Sequence, residues 1–130
     1  MKYLLFRADK PEVEVHISVD GKIKSSKVWQ AGRELSLDLL TVINELCEQS
    51  SIKLEVIEGI IVFQGPGSYT GLRISISVAN ALGYSLQIPV VGVGGESWQE
   101  DGVELLSSSD NFIPVSPVYG GDVYTTKPIK

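Results

Sequence analysis

A chain of 130 residues with 43% hydrophobic content can bury one real core, but it is short for an enzyme of two lobes. Its net charge is −5, and no Lys or Arg stands between Ile74 and Thr126, where Glu96, Glu100, Asp101, Glu104, Asp110 and Asp122 lie. That balance excludes unaided binding to a nucleic-acid backbone and favours a basic partner surface. Cys47 is the only cysteine, and there is no secretion signal or membrane-length apolar span, so a cytoplasmic protein without internal disulfides or membrane attachment is expected.

In chain order, Lys2–Phe6 reads as a first strand, followed by a turn at Asp9-Lys10-Pro11. Val13, Val15, Ile17 and Val19 alternate with Glu12, Glu14, His16 and Ser18, which predicts a strand with one wet face carrying a solvated His16. Asp20-Gly21 is a hairpin signal. Lys22–Trp29 is the returning strand, with a bulge near Ser25-Ser26 where the alternation breaks.

Ser36 is placed as the cap of a helix running to about Gln49, with Leu35 and Leu40 at the spacing of a hydrophobic staple. Leu39, Ile43 and Leu46 share a face of it, widened by Leu40, Val42 and Cys47. An arc this broad can touch a sheet and something else. Ile60–Phe63 is unbroken apolar sequence and reads as a central strand covered on both faces.

The chain is organised around the loop that follows, Gln64-Gly65-Pro66-Gly67-Ser68-Tyr69-Thr70-Gly71, and the Leu72-Arg73 after it. A buried strand, a glycine-rich turn and a helix start form a common functional unit of α/β proteins. Thr70 is a candidate cap, and the helix is expected to end near Tyr84. Gly71, Ser75, Ala79 and Gly83 then recur every four residues as a ridge of small side chains. The ridge suits either another molecule's helix or the domain's own sheet. Ile88–Val93 predicts a parallel strand. A helical turn and a polar stretch occupy Glu96–Asp110, and two short strands are expected at Phe112–Val115 and Val123–Thr126.

The glycine loop is a weak phosphate signal. No lysine follows its last glycine, as a Walker loop requires, and the spacing does not match a dinucleotide fingerprint. A helix start can still hold an anion, with Arg73 the nearby cation. Tyr69 either fills a local core gap or anchors a partner. Asp9, Glu12 and Glu14 are at most a weak magnesium site completed by a partner, and no Cys/His spacing suggests a metal. No nucleophile–base–acid set can be assembled from Ser68 and the distant His16, so no catalytic residue is expected.

The run from Gln64 to Ile74 resembles the GPGSFTGLRIG signature of the bacterial TsaB (YeaZ-like) family. Gly121-Asp122-Val123-Tyr124 resembles that family's GEVY strand. The resemblance implies an α/β fold, a single actin/Hsp70-like (ASKHA, ribonuclease H-like) lobe with a mixed sheet, three antiparallel N-terminal strands and helices packed on it. It implies one TsaB-like N-terminal lobe over residues 1–130, without the family's usual second lobe. It also implies a noncatalytic partner for TsaD, the transferase that forms N6-threonylcarbamoyladenosine at position 37 of tRNA.

On the same resemblance, partner contacts fall on the helices near 36–49 and 71–84, through Leu39, Ile43, Leu46, Tyr69, Gly71, Leu72, Ser75, Ala79, Leu82 and Gly83. The signature loop is Gly65, Pro66, Gly67, Ser68, Tyr69, Thr70, Gly71 and Arg73. A TsaE-like ATPase and, indirectly, tRNA are further partners, and a homodimer is expected for the chain alone. No metal or cofactor is expected on the isolated chain, although an adenine nucleotide can belong to the full complex. Departures from the family are Phe6-Arg7-Ala8-Asp9 where Asp-Thr-Ser/Ala is usual, Glu34-Leu35-Ser36 where Glu-His-Ser is frequent, and Ile74-Ser75 for Ile-Gly. The competing expectations are a divergent nucleotide-dependent phosphotransferase or glycoprotease-like hydrolase, and a self-associating regulatory fragment.

Overall fold

The computed structural model describes residues 1–67 and 70–119. The strands are β1 (Lys2–Arg7), β2 (Glu12–Val19), β3 (Lys22–Gln30), β4 (Gly59–Phe63) and β5 (Val90–Val93), and the helices are α1 (Leu35–Ser50), α2 (Thr70–Leu86) and α3 (Trp98–Leu106). One five-stranded sheet has the order β3-β2-β1-β4-β5. β1, β2 and β3 pair antiparallel, and β4 and β5 join in parallel. This is the mixed α/β sheet expected from the sequence. β1, rather than β4, takes its centre.

The N-terminal hairpin forms where Asp20 (φ 52°) and Gly21 (φ 84°) both take positive φ, the requirement of a tight turn matched to strand twist. Its register shifts between Ile17 and Ser18, leaving Lys24 without a partner. That is a bulge, one residue before the predicted place. β3 is one edge of the sheet. Its lysines at 22, 24 and 27 discourage edge-to-edge pairing.

β4 is buried at every position, which explains its continuous apolar sequence. α1 and α2 pack on one face of the sheet and α3 packs on the other. A Cβ on Gly102 would strike the Ile61 side chain, so glycine lets α3 lie close to the sheet. Burial of one side chain such as Ile61, Leu39 or Leu72, each at most 1% exposed, contributes about 1.5–3 kcal/mol.

Several local expectations are corrected. Ser36 does not cap α1. The helix starts at Leu35, its flanking residue is Glu34, and no side chain caps it. The region after Glu96 gives a nine-residue helix rather than a turn. Trp98 of α3 lies beside His16; His16 is only 9% exposed and Ser18 only 3%, so these two positions are not wet.

Phe112–Val115 is not a strand. In place of a neighbouring strand, the Asn80 amide of α2 donates to the Val115 carbonyl and accepts from the Val115 N–H, both at 2.9 Å. Thr70 is itself helical, so it is not a flanking cap. The strand predicted at Val123–Thr126, and the Gly121–Tyr124 match, lie outside the described residues.

Candidate docking face and signature loop

The signature loop leaves the C-terminal end of β4 and is held by its own chain. Gln64 N–H donates to the Val93 carbonyl at 2.7 Å, Val118 N–H donates to the Gln64 carbonyl at 2.7 Å, and Gly67 N–H donates to the Val118 carbonyl at 3.1 Å. Gly65 has φ 117°, and a Cβ there would collide with the Val118 carbonyl. Only glycine tolerates both the dihedral and the approach. Three segments, 64–67, 92–94 and 115–118, therefore meet at this joint. Gly67 N–H is already engaged, and so is Arg73, whose Nε–H donates to the Tyr119 hydroxyl at 3.2 Å. These contacts make the described part of the loop a structural joint. Ser68 and Tyr69 lie outside the described residues.

The crevice beyond β1 and β4 is where open α/β sheets usually bind ligands. Here Arg7 fills it. Its Nε–H and Nη2–H donate to the two Asp9 carboxylate oxygens, each at 2.8 Å. The guanidinium also lies 3.8 Å from the Phe63 ring centroid and 5.5 Å from that of Trp98. Pairing and stacking satisfy a cation that would be costly to bury alone. Among the described residues no group of three or more His, Cys, Asp or Glu side chains converges as a metal site.

Of the residues expected to meet a partner, the structure turns most inward. Leu39, Ile43 and Leu46 of α1, and Gly71, Leu72, Ser75, Ala79 and Gly83 of α2, are buried in the chain's own core. Leu82 is half-buried. The small-residue ridge is thus a device for internal packing: a Cβ on Gly83 would strike Val90 and Phe112. Ser75 satisfies its hydroxyl by donating to the Leu72 carbonyl at 3.0 Å.

The outward faces of the same helices carry other residues. Leu37 is 56% exposed and Leu40 41% exposed on α1, with Thr41 and Asn44 beside them. α2 presents exposed Ser77 and Ala81, with Ile74 half-buried. Leu40 was legible from sequence as part of the broad arc. Leu37 was missed because it falls outside that arc.

Cys47 belongs to the inner arc. Burial, followed by the nearby Glu55 charge, raises its thiol pKa. That environment disfavours the reactive thiolate.

A model of the family described as "TsaD: tRNA N6-adenosine threonylcarbamoyltransferase" matches residues 29–95. The chain belongs to this family of tRNA-modification proteins. It resembles TsaB/YeaZ. The TsaB of Bacillus subtilis, a "tRNA threonylcarbamoyladenosine biosynthesis protein", is 30% identical over 95 residues, covering 69% of this chain and 38% of that protein. A "tRNA N6-adenosine threonylcarbamoyltransferase" of Geotalea daltonii is 35% identical over 82 residues, covering 63% of this chain and 23% of its own length. Among solved structures, YeaZ from Pseudomonas aeruginosa superposes with a TM-score of 0.66 at 25% identity, over 78% of this chain and 50% of that one. The chain thus spans half or less of the length of each of these relatives. The structural match is to a YeaZ, and the lobe is of the TsaB/YeaZ, ASKHA type. Among the described residues no helix is long and apolar enough to cross a membrane.

Proposed function

We propose that this chain is a noncatalytic docking partner for a TsaD-type threonylcarbamoyltransferase in the formation of N6-threonylcarbamoyladenosine at position 37 of tRNA. The family match and the likeness to TsaB and YeaZ support the pathway. The observation that carries the docking role is the outward face of α1 and α2. Leu37 and Leu40 of α1 are large apolar side chains left in water, and α2, which packs on α1, exposes the small Ser77 and Ala81, over which another helix can approach closely.

Two helices from a partner laid on this pair would make a four-helix interface. The buried residues Leu39, Ile43, Leu46, Leu72 and Ala79 hold the two helices on the sheet and act only indirectly. The same face serves self-pairing when the partner is absent, so a homodimer and the heterodimer compete for it. A TsaE-type ATPase joins the assembled pair, and tRNA is met through the partner, in keeping with the net charge of −5. An adenine nucleotide belongs to the full complex rather than to the isolated chain.

The test is complementation of a TsaB-depleted cell, scored by the tRNA modification itself. The native chain is expected to restore the modified nucleoside, and Leu40→Asp to fail while accumulating to the same level. Full restoration by Leu40→Asp would reject the face.

A further inference from the structure

The hairpin bulge has a chemical result on the sheet face opposite α1 and α2. From the Asp20-Gly21 turn the pairing runs Val19 with Lys22 and Ser18 with Ile23, then skips Lys24 and resumes with Ile17 opposite Ser25 and His16 opposite Ser26. Without the extra residue, Ser25 would stand across from His16. With it, Ser25 turns toward α1, its hydroxyl 3.5 Å from the Leu46 carbonyl, and Ser26 takes the place beside the imidazole. Bulges commonly re-aim a side chain in this way.

Glu14, two residues before His16, completes a row. Its Oε1 is 3.0 Å from His16 Nε2, and Ser26 Oγ is 2.7 Å from His16 Nδ1. A carboxylate only accepts, so Nε2 carries the proton and donates to Glu14. Nδ1 then offers its lone pair to the Ser26 hydroxyl. The imidazole is 9% exposed and its ring centroid lies 6.3 Å from that of Trp98, which fixes its orientation. Ser26 is exposed. An accessible hydroxyl, a shielded base and an orienting carboxylate are the parts of an activated nucleophile.

Toward the hairpin turn from this row, a cavity of 120 Å³ lies between the hairpin and α3, walled by Leu5, Ile23, Gln99 and Val103 among others, with none of Glu14, His16 and Ser26 in its wall. It has room for about four water-sized groups. Ser18 also lines it, one step of about 7 Å along β2 from His16. The Ser18 hydroxyl is buried and has no hydrogen-bond partner among the described residues. A buried polar atom without a partner asks for one.

We propose that Ser26 is an acyl-accepting nucleophile activated by His16 and Glu14, taking a short acyl group from an activated ester. In the step, Ser26 Oγ forms a bond to the acyl carbon as His16 Nδ1 takes the hydroxyl proton. The ester C–O bond then breaks, and the departing alkoxide recovers that proton from His16 and leaves as the alcohol. The chain gains one acyl group on Ser26, and nothing is oxidised or reduced. This single modification goes beyond the docking role and does not rest on it.

The experiment treats the full chain with p-nitrophenyl acetate and follows p-nitrophenolate release together with peptide mass. One acetyl per chain on Ser26 is expected, forming at least about 100-fold faster than on Ser25, since general-base assistance typically contributes 10²–10⁴-fold. Ser26→Ala abolishes the adduct and His16→Asn slows it by a similar factor. Glu14→Gln, which keeps the shape of the row, slows it at least ~10-fold. Equal rates at Ser26 and Ser25 in the unmutated chain would overturn the proposal, with no dependence on whether a variant folds. An unchanged rate in folded Glu14→Gln would overturn it as well.

Discussion

Leu39 and Leu40 are sequence neighbours on α1, about 100° apart around the helix, one set in the core and the other largely in water. Leu39 is fully buried, whereas Leu40 is 41% exposed. Leu39→Ala removes packed atoms and leaves a cavity against the sheet, at a cost of about 2–5 kcal/mol. A domain of this size has ~5–15 kcal/mol of stability in all, so at least about an eighth of it is at stake. The melting temperature is expected to fall by about 10 °C, taking roughly 3 °C per kcal/mol for a chain of this length.

Leu40→Ala removes a side chain that is largely in water, so its stability change is expected to stay within about 0.5 kcal/mol. Urea unfolding of the two variants, followed by circular dichroism at low protein concentration, separates them. The reasoning fails if Leu40→Ala costs as much as Leu39→Ala, or if Leu39→Ala costs less than about 1 kcal/mol.

Ala79→Trp, which would block a docked helix if the small-residue ridge faced outward, is instead expected to unfold the chain or cost well over the ~1–3 kcal/mol of ordinary overpacking; a folded Ala79→Trp protein by thermal melting would show the ridge is not core. Asn80→Ala removes both hydrogen bonds to Val115, so about 1–3 kcal/mol of local stability is expected to vanish, read as faster exchange of the Val115 amide with the sheet amides unchanged. Cys47, with its thiol pKa raised by burial and then by Glu55, is expected to resist iodoacetamide at pH 8 until the chain unfolds. The same shift has a stability consequence. The folded state holds this proton more tightly than the unfolded state, so its stabilising contribution is complete below the ordinary thiol pKa and is lost as pH rises through the raised one. Urea titrations across that alkaline range, with Cys47→Ala as the reference that lacks this loss, check the sign.

Much of the fold was legible because local signals agreed with one another. The Asp20-Gly21 turn, the unbroken Ile60–Phe63 run and the glycine-rich entry to α2 each point to the element that forms. The misreadings came from tertiary cover that no local pattern reports. His16 and Ser18 sit at alternating positions that look wet, but α3 closes over them. Phe112–Val115 has strand-like composition, yet its backbone partner is the Asn80 side chain on a helix, a pairing invisible to periodicity.

The docking face shows the same limit in another form. A four-residue spacing of Gly71, Ser75, Ala79 and Gly83 identifies a close-packing ridge and says nothing about which neighbour it meets. Here that neighbour is internal, and the exposed face is instead marked by Leu37 and Leu40. The Glu14–His16–Ser26 row needed the register of a bulged hairpin. A break in alternation near Ser25 hinted at the bulge without fixing which serine faces the imidazole.

The most direct test is titration calorimetry of the cognate TsaD-type protein against the native chain and against the double variant Leu37→Asp, Leu40→Asp, with both chains first verified as folded. Measurable binding is expected for the native chain and at least ~100-fold weaker binding for the variant, a loss of about 2.7 kcal/mol. Equal affinity of the two chains would contradict it, since the partner would then be held by some other surface.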